Sequence, residues 1–145
     1  PEPHELEPLT WASLKGGRKV SGADALRSLQ DLRMLNRRTL AAFEDIDVYL
    51  CPVTGAPTPK VGYIDPVALE PKEVNRRQAE VFPFTPPFNF SGQPSLSLPL
   101  EQTAEGLPLG MMFTGRYADE ATLFRLAAQL EKEAPWKDRR PALWN

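Results

Sequence analysis

The chain has 145 residues, 41% of them hydrophobic and 25% charged, with a net charge of -2. This composition fits one soluble globular domain with a real core, and the weak negative charge argues against nucleic acid as the main partner. No apolar run approaches the roughly 20 residues that cross a bilayer, no leader is visible, and the single Cys51 excludes an internal disulfide or a multi-cysteine zinc site and fits a reducing compartment.

The chain begins with Pro1 rather than Met, which reads as a processed or truncated end. Sixteen prolines are present, and a stretch so proline-studded suits a segment wrapping over a larger body better than a free-standing small enzyme. Residues 1–10 are acidic and proline-broken and read as a tail. A short helix is expected over "WASLKGGRKV", ended by Gly16-Gly17 in a left-handed cap. The strongest helix spans 21–44. Ser21 and Asp24 form a variant capping box, and Leu26, Leu29, Leu32, Leu35, Leu40 and Phe43 recur at helical spacing. Its arginines read as a solvated face.

"DIDVYLCP" predicts a strand over 45–51, apolar enough to be covered on both faces and stopped by Pro52. Residues 52–71 form a long proline-rich loop, of the kind that is functional or mobile. A polar helix is expected from Lys72 to about Phe82, then an aromatic, proline-rich link and a turn to residue 93. "PSLSLPL" and "LGMMFTG" both alternate and predict an antiparallel hairpin over 94–115. Leu96, Leu98 and Leu100 share one face, as do Leu109, Met111 and Phe113. Pro94 and Pro99 place the first strand at an edge or at a bulge. A last helix over 119–134 is capped by Asp119 and buries Leu123, Leu126, Ala127 and Leu130. Residues 135–145 read as a charged tail.

No self-sufficient catalytic set is present. Serine catalysis needs a base, and the one histidine, His4, lies in the broken terminus and reads as exposed. Ser95 and Ser97 read as polar strand positions, and Ser91 as a cap in a Ser-Gly turn. Cys51 reads as a buried structural thiol. Glu44, Asp45 and Asp47 read as junction carboxylates rather than an acid/base pair. Neither phosphate-cradling glycine motif occurs, no metal site is seen, and no cofactor is implied. Trp11, Trp136 and Trp144 read as packing residues.

The ordered series "FNFSGQPSLSLPL", "GLPLGMMFTGRYADEATLFRLAAQLE" and "PWKDRRPAL", preceded by "DIDVYLCPVTGAPTPKVG", resembles the C-terminal end of the amidase signature family. The match is nearest to bacterial amidases of the type that includes cyclic-amide and aryl-amide hydrolases. The resemblance implies an α/β chain, the C-terminal part of a mixed-sheet α/β/α fold, with strands near 47–51, 94–100 and 108–114. It implies a parent enzyme that hydrolyses a small-molecule amide in the cytoplasm by a Ser–Ser–Lys mechanism. Those residues would lie upstream, so no catalytic residue is assigned in this chain and the chain alone is expected to be inactive. Lys15, Lys19 and Lys60 do not match the motif's lysine.

Two residues are the expected substrate wall: Thr54, in the loop after Pro52, and Asn89, in the turn at Phe88–Gly92. Asn89 is also read as pinning its own turn. Self-association or a homodimer is expected from apolar surface left bare. A tRNA-dependent amidotransferase subunit and a non-catalytic binding or scaffold module derived from the amidase tail stand as alternatives.

Overall fold

The computed structural model describes residues 1–141 and Trp144. Five α-helices and three strands occur among them: α1 (Pro8–Gly17), α2 (Gly22–Ala41), β1 (Val48–Pro52), α3 (Pro71–Val81), α4 (Pro86–Ser91), β2 (Ser95–Gln102), β3 (Pro108–Gly115) and α5 (Glu120–Glu133). None of these helices is long and apolar enough to cross a membrane. The chain divides into two compact units, 1–37 with 54–83, and 38–53 with 84–145. The expected tail over 135–145 includes Ala142, Leu143 and Asn145, which lie outside the described residues.

In the first unit, α1 packs against α3. Gly16 and Gly17 lie inside α1, and its cap is Arg18 in the right-handed region. The left-handed glycine cap expected from the sequence is therefore absent. The chain instead tightens through bonds from Lys19 N to Gly16 O and from Val20 N to Gly17 O. Ahead of α2, Ser21 Oγ accepts from Asp24 N at 3.1 Å and donates to Asp24 Oδ2 at 2.6 Å, so the capping pair forms. The apolar positions along α2 remain largely exposed, Leu26 at 65% and Leu29 at 52%.

Charge and hydrogen bonding fasten the long loop to α3. Val74 and Val81 are fully buried. Gly55 N bonds Val81 O at 3.0 Å. A Cβ on Gly55 would stand 2.6 Å from Pro83 Cγ and 2.8 Å from Glu80 O, so only glycine fits. Tyr63 OH donates to Glu80 Oε2 at 2.9 Å, and Arg77 donates to Tyr63 O at 2.7 Å while its guanidinium sits 4.7 Å above the Tyr63 ring. Glu73 accepts from Arg76 at 2.9 Å and from Arg77 at 2.7 Å. Hydrogen bonds from Arg76 and then Arg77 hold its carboxyl at about 2, below the ordinary 4.5.

The second unit is built on a three-stranded antiparallel sheet in the order β1-β3-β2. The hairpin turns through Thr103–Leu107, with Gly106 at φ +80°. β2 is an edge strand and its register also shifts between Leu98 and Glu101, so both accommodations expected from its prolines occur. Arg139 caps the irregularity, donating to Pro99 O at 3.1 Å and Leu100 O at 3.0 Å. One sheet face packs on α5 around Leu98, Phe113 and Leu123, with Leu96, Met111, Leu126 and Trp136 against them. Asp119 caps α5, accepting from Thr122 N at 3.2 Å.

Two features differ from the sequence expectation. β1 is not covered on both faces: Leu50 is 53% exposed, because β1 is an edge strand and only its first residue, Val48, packs against the core beneath α5. The link after residue 82 is not irregular either, since α4 forms there. Pro86 and Pro87 sit in its first turn, where the missing N–H groups have no intrahelical partner in any case. Gly92 at φ +72° closes it, with its N–H on Phe88 O at 3.0 Å.

Truncating Phe113 to Ala should cost about 3–5 kcal/mol, read as a fall in the urea midpoint, since the side chain is central to the α5-facing core. Glu73→Gln should lower stability at neutral pH. A carboxyl whose folded pKa is depressed stabilises above its unfolded value and loses that contribution as pH falls through the folded one. The gap between Glu73→Gln and wild type in urea midpoint should therefore close as pH falls from 4.5 to about 2.

Candidate functional site

The sheet face opposite α5 carries Tyr49, Cys51, Ser95, Ser97, Met112 and Thr114, as the register dictates. An aromatic group covers one end of it. Phe43, Tyr49 and Phe88 stand with ring centroids 5.7 to 6.2 Å apart. Cys51 is buried, and burial pushes its thiol up against a smaller lowering by the Tyr49 hydrogen bond. That makes a poor nucleophile.

Beside this group lies a cavity of about 270 Å³ lined by Thr85, Phe88, Asn89, Gln93, Ser95 and Met112. Its floor is held by a short chain of hydrogen bonds. Gly92 turns the backbone and Pro94 directly precedes β2, so the residue between them has little freedom. Gln93 is buried there. Its Oε1 accepts from Ser91 Oγ at 3.0 Å and its Nε2 donates to Gly115 O at 2.9 Å. Ser95 and Thr114 share a hydroxyl–hydroxyl bond of 2.8 Å. All of these groups are neutral.

Asn89 thus stands on the wall of a cavity. Its backbone N–H bonds Thr85 O at 3.3 Å within α4, and its exposed carboxamide has no partner among the described residues. Thr54 is half-buried at the start of the other unit's loop. A cavity of about 320 Å³ in that unit is lined by Ala56, Pro57, Pro59, Lys60, Tyr63, Glu80 and Val81, without Thr54. The two expected wall residues belong to different units.

The serines hold structure. Ser91 and Ser95 are occupied as above, and Ser97 is exposed on β2 opposite Met112, with its Oγ 2.9 Å from where a Cβ on Gly110 would stand. His4, Lys15, Lys19 and Lys60 are exposed. Among the described residues no group of three or more His, Cys, Asp and Glu side chains is placed to hold a metal ion. Asp47 pairs with Arg116 at 3.1 Å, and Arg116 also donates to Phe43 O and Ile46 O, so this carboxylate belongs to the α2–β1 junction. Gln93, Thr85 and Met112 were not among the expected site residues. The signal for Gln93 was there: a polar residue pinned between a left-handed glycine and a proline has backbone groups as its nearest partners.

A protein-family model described as Amidase matches residues 2–124. The chain is 42% identical over 110 residues to "Putative amidase AmiC" of Mycobacterium leprae, covering 76% of this chain and 23% of that protein. It is 30% identical over 149 residues to the 6-aminohexanoate-cyclic-dimer hydrolase of Paenarthrobacter ureafaciens, covering 97% of this chain and 30% of that one. A solved structure of 6-aminohexanoate cyclic dimer hydrolase superposes with a TM-score of 0.91 at 30% identity, over all of this chain and 31% of that one. A crystal structure of an amidase shares the fold, with a TM-score of 0.75 at 23% identity. The chain therefore spans between 23% and 31% of the length of these relatives.

Replacing Gln93 with Leu strands Gly115 O and Ser91 Oγ, and should cost about 1–3 kcal/mol of stability in a denaturant titration. An unchanged midpoint would show that water or a neighbour takes over both bonds.

Proposed function

The chain belongs to the amidase family, and from that premise we propose that the protein containing it is a cytoplasmic hydrolase of carboxamide C–N bonds. The observation that carries this reading is the likeness to 6-aminohexanoate cyclic dimer hydrolase along the full chain. Chemistry follows the family's Ser–Ser–Lys scheme. A serine oxygen attacks the amide carbonyl, forming a C–O bond. The C–N bond breaks as the proton relayed through the second serine reaches the leaving nitrogen. Water then hydrolyses the acyl ester. The lysine is the ultimate base, and backbone amides hold the oxyanion. These groups are assigned to parts of the protein outside the 145 residues, because no serine or lysine here matches the family's signature motif. This chain contributes scaffold and one wall of the substrate pocket, at Asn89.

Two bare features support a role within a larger body. The α2 apolar positions and the free edge of β1 present hydrophobic groups to solvent. Isolated, the chain should bury them against a second copy.

Full-length protein, treated with a chelator, should release amine from a simple aryl amide, while the 145-residue chain alone should show no turnover. Hydrolysis by the chain alone would overturn the division of labour. In sedimentation velocity the isolated chain should run as a dimer or larger, and a clean monomer would contradict self-association.

A further inference from the structure

The cavity beside Asn89 has a chemical bias that its lining makes explicit. All six lining side chains are uncharged. Phe88 and Met112 supply apolar surface. The polar groups of the floor are already committed. Both ends of the Gln93 carboxamide are hydrogen-bonded, and the Ser95 hydroxyl is shared with Thr114. Thr85 adds one hydroxyl with no partner among the described residues, and Asn89 likewise differs from them. Its carboxamide lies at the cavity with one carbonyl acceptor and two N–H donors, and has no partner among the described residues.

A group that satisfies an acceptor and a donor side by side must itself offer a donor and an acceptor side by side. A carboxamide does so. A carboxylate offers acceptors alone and an ammonium donors alone, so neither matches both ends of the Asn89 carboxamide, and none of the six lining side chains carries a charge to pair with either. The volume, about 270 Å³, lies just below the usual range of roughly 300–1,000 Å³ for small-molecule sites, so it suits one arm of a ligand rather than a whole one.

We infer that this cavity receives an uncharged carboxamide arm of the substrate, paired with the Asn89 side chain, and that Asn89 sets the preference for neutral over charged ends. This rests on the amide-hydrolase reading above and names the substrate class for its wall. Asn89 is a specificity-determining residue in this scheme.

The test uses full-length protein and two substrates of equal length, adipamide and adipamic acid, which differ in one end group. Wild type should favour adipamide in kcat/KM by tenfold or more. Asn89→Leu keeps the size and removes the hydrogen bonds, and should erase most of that preference by raising KM for adipamide with kcat little changed. Asn89→Gln retains the carboxamide and should recover part of the preference, which separates recognition from damage to α4. An adipamide-to-adipamic acid ratio that is the same in wild type and Asn89→Leu overturns the inference while leaving the hydrolase reading intact. If wild type cleaves neither amide, the aryl-amide assay above decides the hydrolase reading by itself. Calorimetric titration with adipamide then decides the cavity: binding by wild type that Asn89→Leu loses supports the inference, and equal or absent binding overturns it.

Discussion

The second unit depends on one strand. β3 is hydrogen-bonded along both edges, to β1 on one side and β2 on the other. Its last residue, Gly115, concentrates the constraint. Its N–H bonds Pro94 O at 3.0 Å, and its carbonyl accepts from Gln93. A Cβ there would stand 3.3 Å from both Asp119 O and Leu123 Cγ, so the first turn of α5 lies against a bare backbone. The next residue, Arg116, reaches the α2–β1 junction at Phe43, Ile46 and Asp47. A Gly-Arg pair at the end of one strand thus ties together the strand before it, the helix after it and a segment some 70 positions earlier.

The two faces of this sheet do different work because their side chains differ. Leucines, Met111 and Phe113 look toward α5, and burial of that apolar area closes the core. The opposite face carries hydroxyls, a thiol and Met112, with aromatic rings at one end. Neutral polar groups satisfied in place, such as Ser95 with Thr114 and Gln93 with Ser91, can line a cavity without a large desolvation cost. That face can therefore support recognition, while the other supports stability.

The first unit is organised by a different balance. Its fully buried side chains are valines of α3, and charged groups anchor its long loop. Arg77 combines an ion pair with Glu73, a bond to Tyr63 O and a stack on the Tyr63 ring. Partly exposed pairs of this kind contribute little singly, and their effect comes from sharing partners in a network. A loop that composition marks as functional or mobile is in this way held by named contacts.

Much of the architecture was legible in local patterns. Alternation in "PSLSLPL" and "LGMMFTG" gave the hairpin and its inward face, because a strand repeats every two residues whatever surrounds it. Asp119 and the Ser21–Asp24 pair marked helix starts, since caps act within one turn. The ordered series from "DIDVYLCP" to "PWKDRRPAL" pointed to the amidase family. Other features were not legible. Whether β1 would be covered depended on how far α5 extends over the sheet, and whether glycines end α1 depended on bonds that tighten its last turn. The cavity needed α4, Gln93 and Met112 to converge from three segments, one of them about 20 residues away. Local sequence determines which elements form, because propensity and capping act over a few residues. Which faces are buried and which polar groups are spent were decided by contacts between distant segments, and no local pattern encodes those.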